Sequence, residues 1–158
     1  MKSEINIYKD FNGYNAYPLA EAERIIRGRI LTEFSKLIKQ IEGCEEKARS
    51  MRLIKILQQI VTVKNRMERM KKDIKERDNI FVPAYLKERI ARVDEEKLKV
   101  VDSRLIELIN LNKEILESLS CAEVDTHITD KFTTINENLR EMENNCHSRA
   151  LLLKKEII

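Results

Sequence analysis

The chain has 158 residues, 36% of them charged and only 5% aromatic, with three Gly, two Pro and no Trp. A β-sandwich needs a turn signal about every ten residues, and those signals are missing; Leu, Ile, Lys, Glu and Arg dominate instead, as in long helices and coiled coils. No apolar run approaches the ~20 residues that span a bilayer, and the polar, aromatic start is not what a secretory leader requires.

The net charge of +3 conceals a lopsided distribution. Residues 1–46 carry seven basic and eight acidic side chains, residues 47–77 eleven and three, and residues 78–158 twelve and sixteen. Excess positive charge is thus concentrated in one segment, which bears on partners rather than on fold. Cys44, Cys121 and Cys146 are scattered and odd in number. They are expected to be reduced, partly buried thiols in a cytoplasmic protein, or a nuclear one if the source is eukaryotic.

Residues 1–17 have no helical stripe and hold Tyr8, Phe11, Tyr14 and Tyr17, each three residues from the next. They predict an extended or turn-rich arm that either folds back on its own bundle or docks into a neighbouring subunit, since Tyr and Phe are favoured interface anchors. Residues 18–158 follow as a single helical-bundle domain.

Pro18 suits the first turn of a helix, and Ile30, Phe34, Leu37, Ile41, Cys44, Ala48 and Met51 then alternate at gaps of four and three. Gly43 offers a left-handed cap that would end this helix, with Glu45 and Glu46 opening the next. The apolar spacing nevertheless runs through Gly43 unbroken. It slips only between Met51 and Leu53, where Leu53, Ile54, Ile56 and Leu57 widen the apolar arc. Two layouts follow: one bent or kinked helix over 18–78, which the unbroken spacing favours, or two helices meeting near 43–50. Farther on, Ile56, Ile60, Val63, Met67, Met70 and Ile74 draw a narrow stripe.

Asp78 to Val82 breaks the pattern, and Pro83 can open a helix over 83–120 that returns antiparallel to the first. Its cleanest seam is Val101, Leu105, Leu108, Asn112, Ile115, Leu119 and Ala122. Asn112 could be a buried, register-setting polar residue. A slight rotation that brings in Leu111 and faces Asn112 to water is favoured, because Leu111 and Leu116 are both available. A turn over Ser120–Thr126 precedes the last helix, 127–158, whose stripe is Ile128, Phe132, Ile135, Leu139, Met142 and Cys146, continued by Ala150, Leu153 and Ile157. The fold class expected is all-α: an elongated antiparallel bundle with coiled-coil character, of three long helices, or four if the first breaks near Gly43.

Little in the chain suggests chemistry. His127 and His147 are the only histidines, and no C-x-x-C or H-x-x-x-H pair prepares a zinc site. No Glu precedes either His by three, as a bundle di-metal site would need. Cys146 lies on an apolar stripe, and phosphate loops and nucleophile elbows are absent. No catalytic residue, metal ligand or cofactor site is therefore assigned, and an enzyme is not expected.

What remains is association. The seams are longer and narrower than a closed monomer needs, which predicts a homo-oligomer, most simply a dimer, or assembly with another helical protein. The residues expected to carry it are Ile56, Ile60, Val63, Met67 and Met70, with the arm residues Tyr8, Phe11, Tyr14 and Tyr17. Nucleic acid is the second candidate partner, through Lys64, Arg66, Arg69, Lys71, Lys72 and Lys75. On an ideal helix these wrap around the rod and have no aromatic among them for base stacking. Pairing with the acidic half, at Asp94, Glu95, Glu96, Asp102 and Glu107, is the competing use of the same charge.

Overall fold

Residues 6–13, 19–77, 95–120 and 128–154 are described by the computed structural model, and they form four helices with no strand among them: α1 (Leu19–Ser50), α2 (Ile54–Arg77), α3 (Glu95–Ser120) and α4 (Ile128–Lys154). The expected turn at Asp78–Val82, the helix start at Pro83, the turn over Ser120–Thr126 and the last four residues fall wholly or largely outside the described residues.

Gly43 does not end the first helix; it lies exposed inside α1. The break comes at Met51–Leu53, where the apolar phase slips. Leu53 N–H donates to the Ala48 carbonyl at 3.0 Å and Arg52 N–H to the Arg49 carbonyl at 3.2 Å, while Arg52 adopts φ 57°. This is a Schellman cap, with arginine in the left-handed position that glycine usually fills. Leu53 at once accepts the first bond of α2, from Leu57 N–H at 2.9 Å. A continuous 18–78 rod is therefore excluded: the chain reverses between Ser50 and Ile54, and Leu53, half-buried in the connection, packs against the core.

Two stability effects follow. Gly43→Ala is expected to add about 1 kcal/mol, because a Cβ there meets nothing within 4 Å and helical Gly is penalised by about that much. Arg52→Gly should add about 0.5–1 kcal/mol, the left-handed strain of ~1–2 less the ~0.4–1 of added chain freedom when unfolded. Urea denaturation of the two single variants and the pair checks both values.

The Glu45–Lys64 contact at 2.8 Å near the reversal, with Arg24 and Arg27 beside Lys71 and Lys75 at the other end, sets α1 antiparallel to α2, and the Arg104–Glu141 and Asn112–Asn138 contacts set α3 antiparallel to α4. Gln40 reaches the Lys113 carbonyl and Cys44 that of Leu116, so α1 and α3 run parallel. α1 packs on α2 and α3, and α4 packs on α3 and α2. The result is two antiparallel hairpins laid side by side, with α1 diagonal to α4.

The α1 stripe from Ile30 to Ala48 and the α2 stripe from Ile60 to Ile74 are buried as expected, and Ala22, Ile26 and Ile38 extend the first. Met51, at the reversal, is exposed instead. On α3 the expected rotation is overturned: Asn112 is buried and Leu111 is 38% exposed. The inner track is Leu98, Asp102, Leu105, Ile109, Asn112 and Leu116, again at gaps of four and three. Asn138 Nδ2 donates to Asn112 Oδ1 at 2.9 Å, and Asn112 Nδ2 lies 3.8 Å from Met142 Sδ, so the buried amide is partnered and can stay. On α4 the core track of Phe132, Ile135, Leu139 and Met142 ends on Arg149, which is buried where the apolar pattern pointed to Ala150.

Candidate functional site

The stripe assigned to a partner is already covered. Ile60, Val63, Met67 and Met70 are buried by the chain's own helices, and Ile56 is half-buried against the same core. Four helices at the corners of a square give each stripe two neighbours, which closes the seam within one chain. Of the arm residues, Tyr14 and Tyr17 lie outside the described residues. Tyr8 and Phe11 pack against the core cluster beside the buried Ile7, with ring centroids 6.1 Å apart. Arg29 of α1 donates to the carbonyls of Ile7 and Lys9, and the Tyr8 hydroxyl donates to Asp102 of α3 at 2.8 Å. This part of the arm is a clasp on its own bundle.

Beneath the clasp lies a cluster of buried charge. Arg149 Nε sits 3.0 Å from Asp102 Oδ1, Arg149 Nη1 is 3.6 Å from Glu23 Oε1, and Arg27 Nε is 3.5 Å from the same Glu23 oxygen. The arm, α1, α3 and α4 therefore meet at one polar centre. Charged residues standing in the helical spacing were its signal, hidden because a search for apolar stripes passes over them.

Among the described residues, large apolar side chains stand exposed at Leu111 of α3 and in two groups. Met51 and Ile54, the latter 68% exposed, stand at the α1–α2 reversal. Val100 of α3, 70% exposed, and Leu151 of α4, 51% exposed, line a cleft of about 620 Å³ with Val101 and Leu152 at its base and Glu96 and Lys97 at its rim. Large apolar residues one step off a predicted seam were the available sign of this cleft.

The structure divides the basic residues of α2. Lys64 is held by Glu45 of α1, and Arg66 by Glu143 and Asn136 of α4, with Arg66 Nε 3.1 Å from Glu143 Oε1. The hydrogen bond from Lys64 draws the Glu45 carboxyl below the usual carboxylate range and lifts the Lys64 ammonium. Of the acidic residues expected to pair with α2, Asp102 meets Arg149 and Glu107 meets Arg104, while Asp94 lies outside the described residues; the acidic half reaches α2 through Glu143, at Arg66. Burial raises the Glu33 carboxyl, but the Lys113 and Lys36 ammonium groups outweigh it and leave the group low, tying α1 to α3.

Lys71, Lys72 and Lys75 face α1 across a groove of about 750 Å³, where Arg24, Arg27, Gly28 and Leu31 line the α1 side. Arg69 stands exposed and is not part of this lining. The two arginines could not be found from the basic segment alone, because helix pairing supplies them from a neutral stretch.

Among the described residues no group of three His, Cys, Asp or Glu side chains could hold a metal ion. Cys44 is buried, and its desolvation pushes the thiol up; Cys146 is half-buried and His147 exposed. Cys121 and His127 lie outside the described residues. No described helix is long and apolar enough to cross a membrane. No family model, curated protein or solved structure matches the chain.

Proposed function

We propose that the protein is a non-enzymatic helical adaptor of the cytoplasm or nucleus that associates through the α3–α4 cleft, most simply with a second copy of itself. The observation that carries this is the exposure of Val100 and Leu151, at 70% and 51%, over an apolar base. Apolar side chains at helical spacing, between two antiparallel helices, fit another helix laid along them. A second copy is favoured because the rim is self-complementary: a two-fold axis through the cleft would set Glu96 of each copy toward Lys97 of the other.

One cleft is a small part of the ~800 Å² per partner that stable complexes bury, so the association is weak. Sedimentation equilibrium should therefore run up to roughly millimolar protein, where a Kd of that size corresponds to about −4 kcal/mol. The wild type is expected to gain mass with concentration, and Val100→Glu and Leu151→Glu to remain monomeric with unchanged helicity. A mass equal to one chain throughout the series would remove self-association. A gain that both substitutions leave intact would move the interface elsewhere.

A nucleic-acid function through the whole α2 face is less well supported, since Lys64 and Arg66 are engaged within the chain.

A further inference from the structure

The α1–α2 interface is matched in charge at one end and mismatched at the other. Near the reversal, Lys64 meets Glu45 at 2.8 Å. At the open end Arg24 and Arg27 of α1 face Lys71, Lys72 and Lys75 of α2, with Glu68 and Glu76 as the acidic residues of the same lining. Arg27 is drawn toward Glu23 at 3.5 Å, whereas Arg24, Lys71, Lys72 and Lys75 make no ion pair with any described residue. Like charges placed this close repel, and an anion held between them relieves that repulsion.

The shape of the groove narrows the ligand. Gly28 leaves the α1 wall bare, with nothing within 4 Å of where a Cβ would stand, so a ligand can approach the helix closely. Glu68 and Glu76 bracket the three lysines along α2, and the eight-residue step from one to the other rises about 12 Å. An extended strand running along the helix would meet carboxylates on both sides of the lysine window. Among the described residues the lining also lacks an aromatic side chain on which a base could stack. Lysine ammonium groups and arginine forks are the usual partners of phosphate oxygens.

We propose that this groove is a binding site for a compact polyphosphate: a small molecule carrying several phosphate groups close together, held by Arg24, Arg27, Lys71, Lys72 and Lys75. The test is calorimetric titration of the full chain with inorganic triphosphate and with inositol hexakisphosphate, at about 50 mM and about 200 mM salt. One-to-one binding of at least one probe is expected, weaker at the higher salt. The pair Lys71→Glu and Lys75→Glu should weaken it by about tenfold or more, a loss of about 1.4 kcal/mol or more. Lys55→Glu, on an exposed lysine at the far end of α2, should change it less than about twofold by comparison.

Gly28→Glu separates binding from folding. It replaces a helix-interior glycine where there is open space, so thermal stability should be kept or raised, while its carboxylate enters the groove and should abolish binding. Absence of heat with both probes at the lower salt would overturn the proposal. So would equal weakening by Lys55→Glu, or undiminished binding to the Gly28→Glu protein. Tighter binding of a single-stranded oligonucleotide than of either probe would overturn the compact ligand in favour of a polymer.

Discussion

Replacement of Arg149 by Met is expected to lower the free energy of unfolding by about 3–5 kcal/mol, the cost of stranding buried charge without its partner. The guanidinium is fully enclosed, lies 3.0 Å from a carboxylate oxygen of Asp102, itself 0% exposed, and also faces Glu23. With Met in its place Asp102 would keep the Tyr8 hydroxyl but lose this guanidinium, and Glu23 would lose one of the two guanidiniums seen beside it. Equilibrium urea unfolding followed by circular dichroism measures the loss. A variant with Glu23→Met, Asp102→Leu and Arg149→Met together should recover most of it, because apolar residues of similar volume often replace a buried ion cluster at no loss of stability. If that variant is as unstable as the single one, shape rather than charge makes Arg149 necessary. The same experiment reports on the arm, since Tyr8 is bound to Asp102.

Met67→Ala is expected to cost about 2–5 kcal/mol, from lost burial together with the cavity left behind. Met67 is fully buried in the α2 stripe, among Val63, Met70 and the α1 core residues. The informative readout is concentration. If this stripe is closed within one chain, as the packing implies, the melting temperatures of wild type and variant should keep a constant separation as protein concentration rises. A separation that widens or narrows with concentration would mean that a second molecule completes the α2 core, and would return the α2 stripe to the interface. Together with the Val100 and Leu151 substitutions, this distinguishes association by an outer cleft from association by exchange of core helices.

The sequence by itself determined the helical class and most of the inward faces. Apolar residues at gaps of four and three can be buried only on helices, and α1, α2 and α4 bury the residues so spaced. It also marked the phase slip at Met51–Leu53, although the chain reverses there through an arginine rather than through Gly43, which local propensity favoured as the cap. Three outcomes were decided by the tertiary structure. Asn112, Asp102 and Arg149 became core residues because partners on other elements satisfy them: Asn138 of α4 for the first, Tyr8 of the arm for the second, and the last two one another. The α2 stripe became internal because two hairpins side by side shelter it, whereas a rod considered alone leaves it bare. The basic groove arose because α1 brings Arg24 and Arg27 opposite three lysines some forty-five residues away. Spacing along a helix records which side must be covered, since that follows from the helix's own geometry. It does not record what covers that side, because polar satisfaction and charge juxtaposition depend on distances between elements that only packing sets.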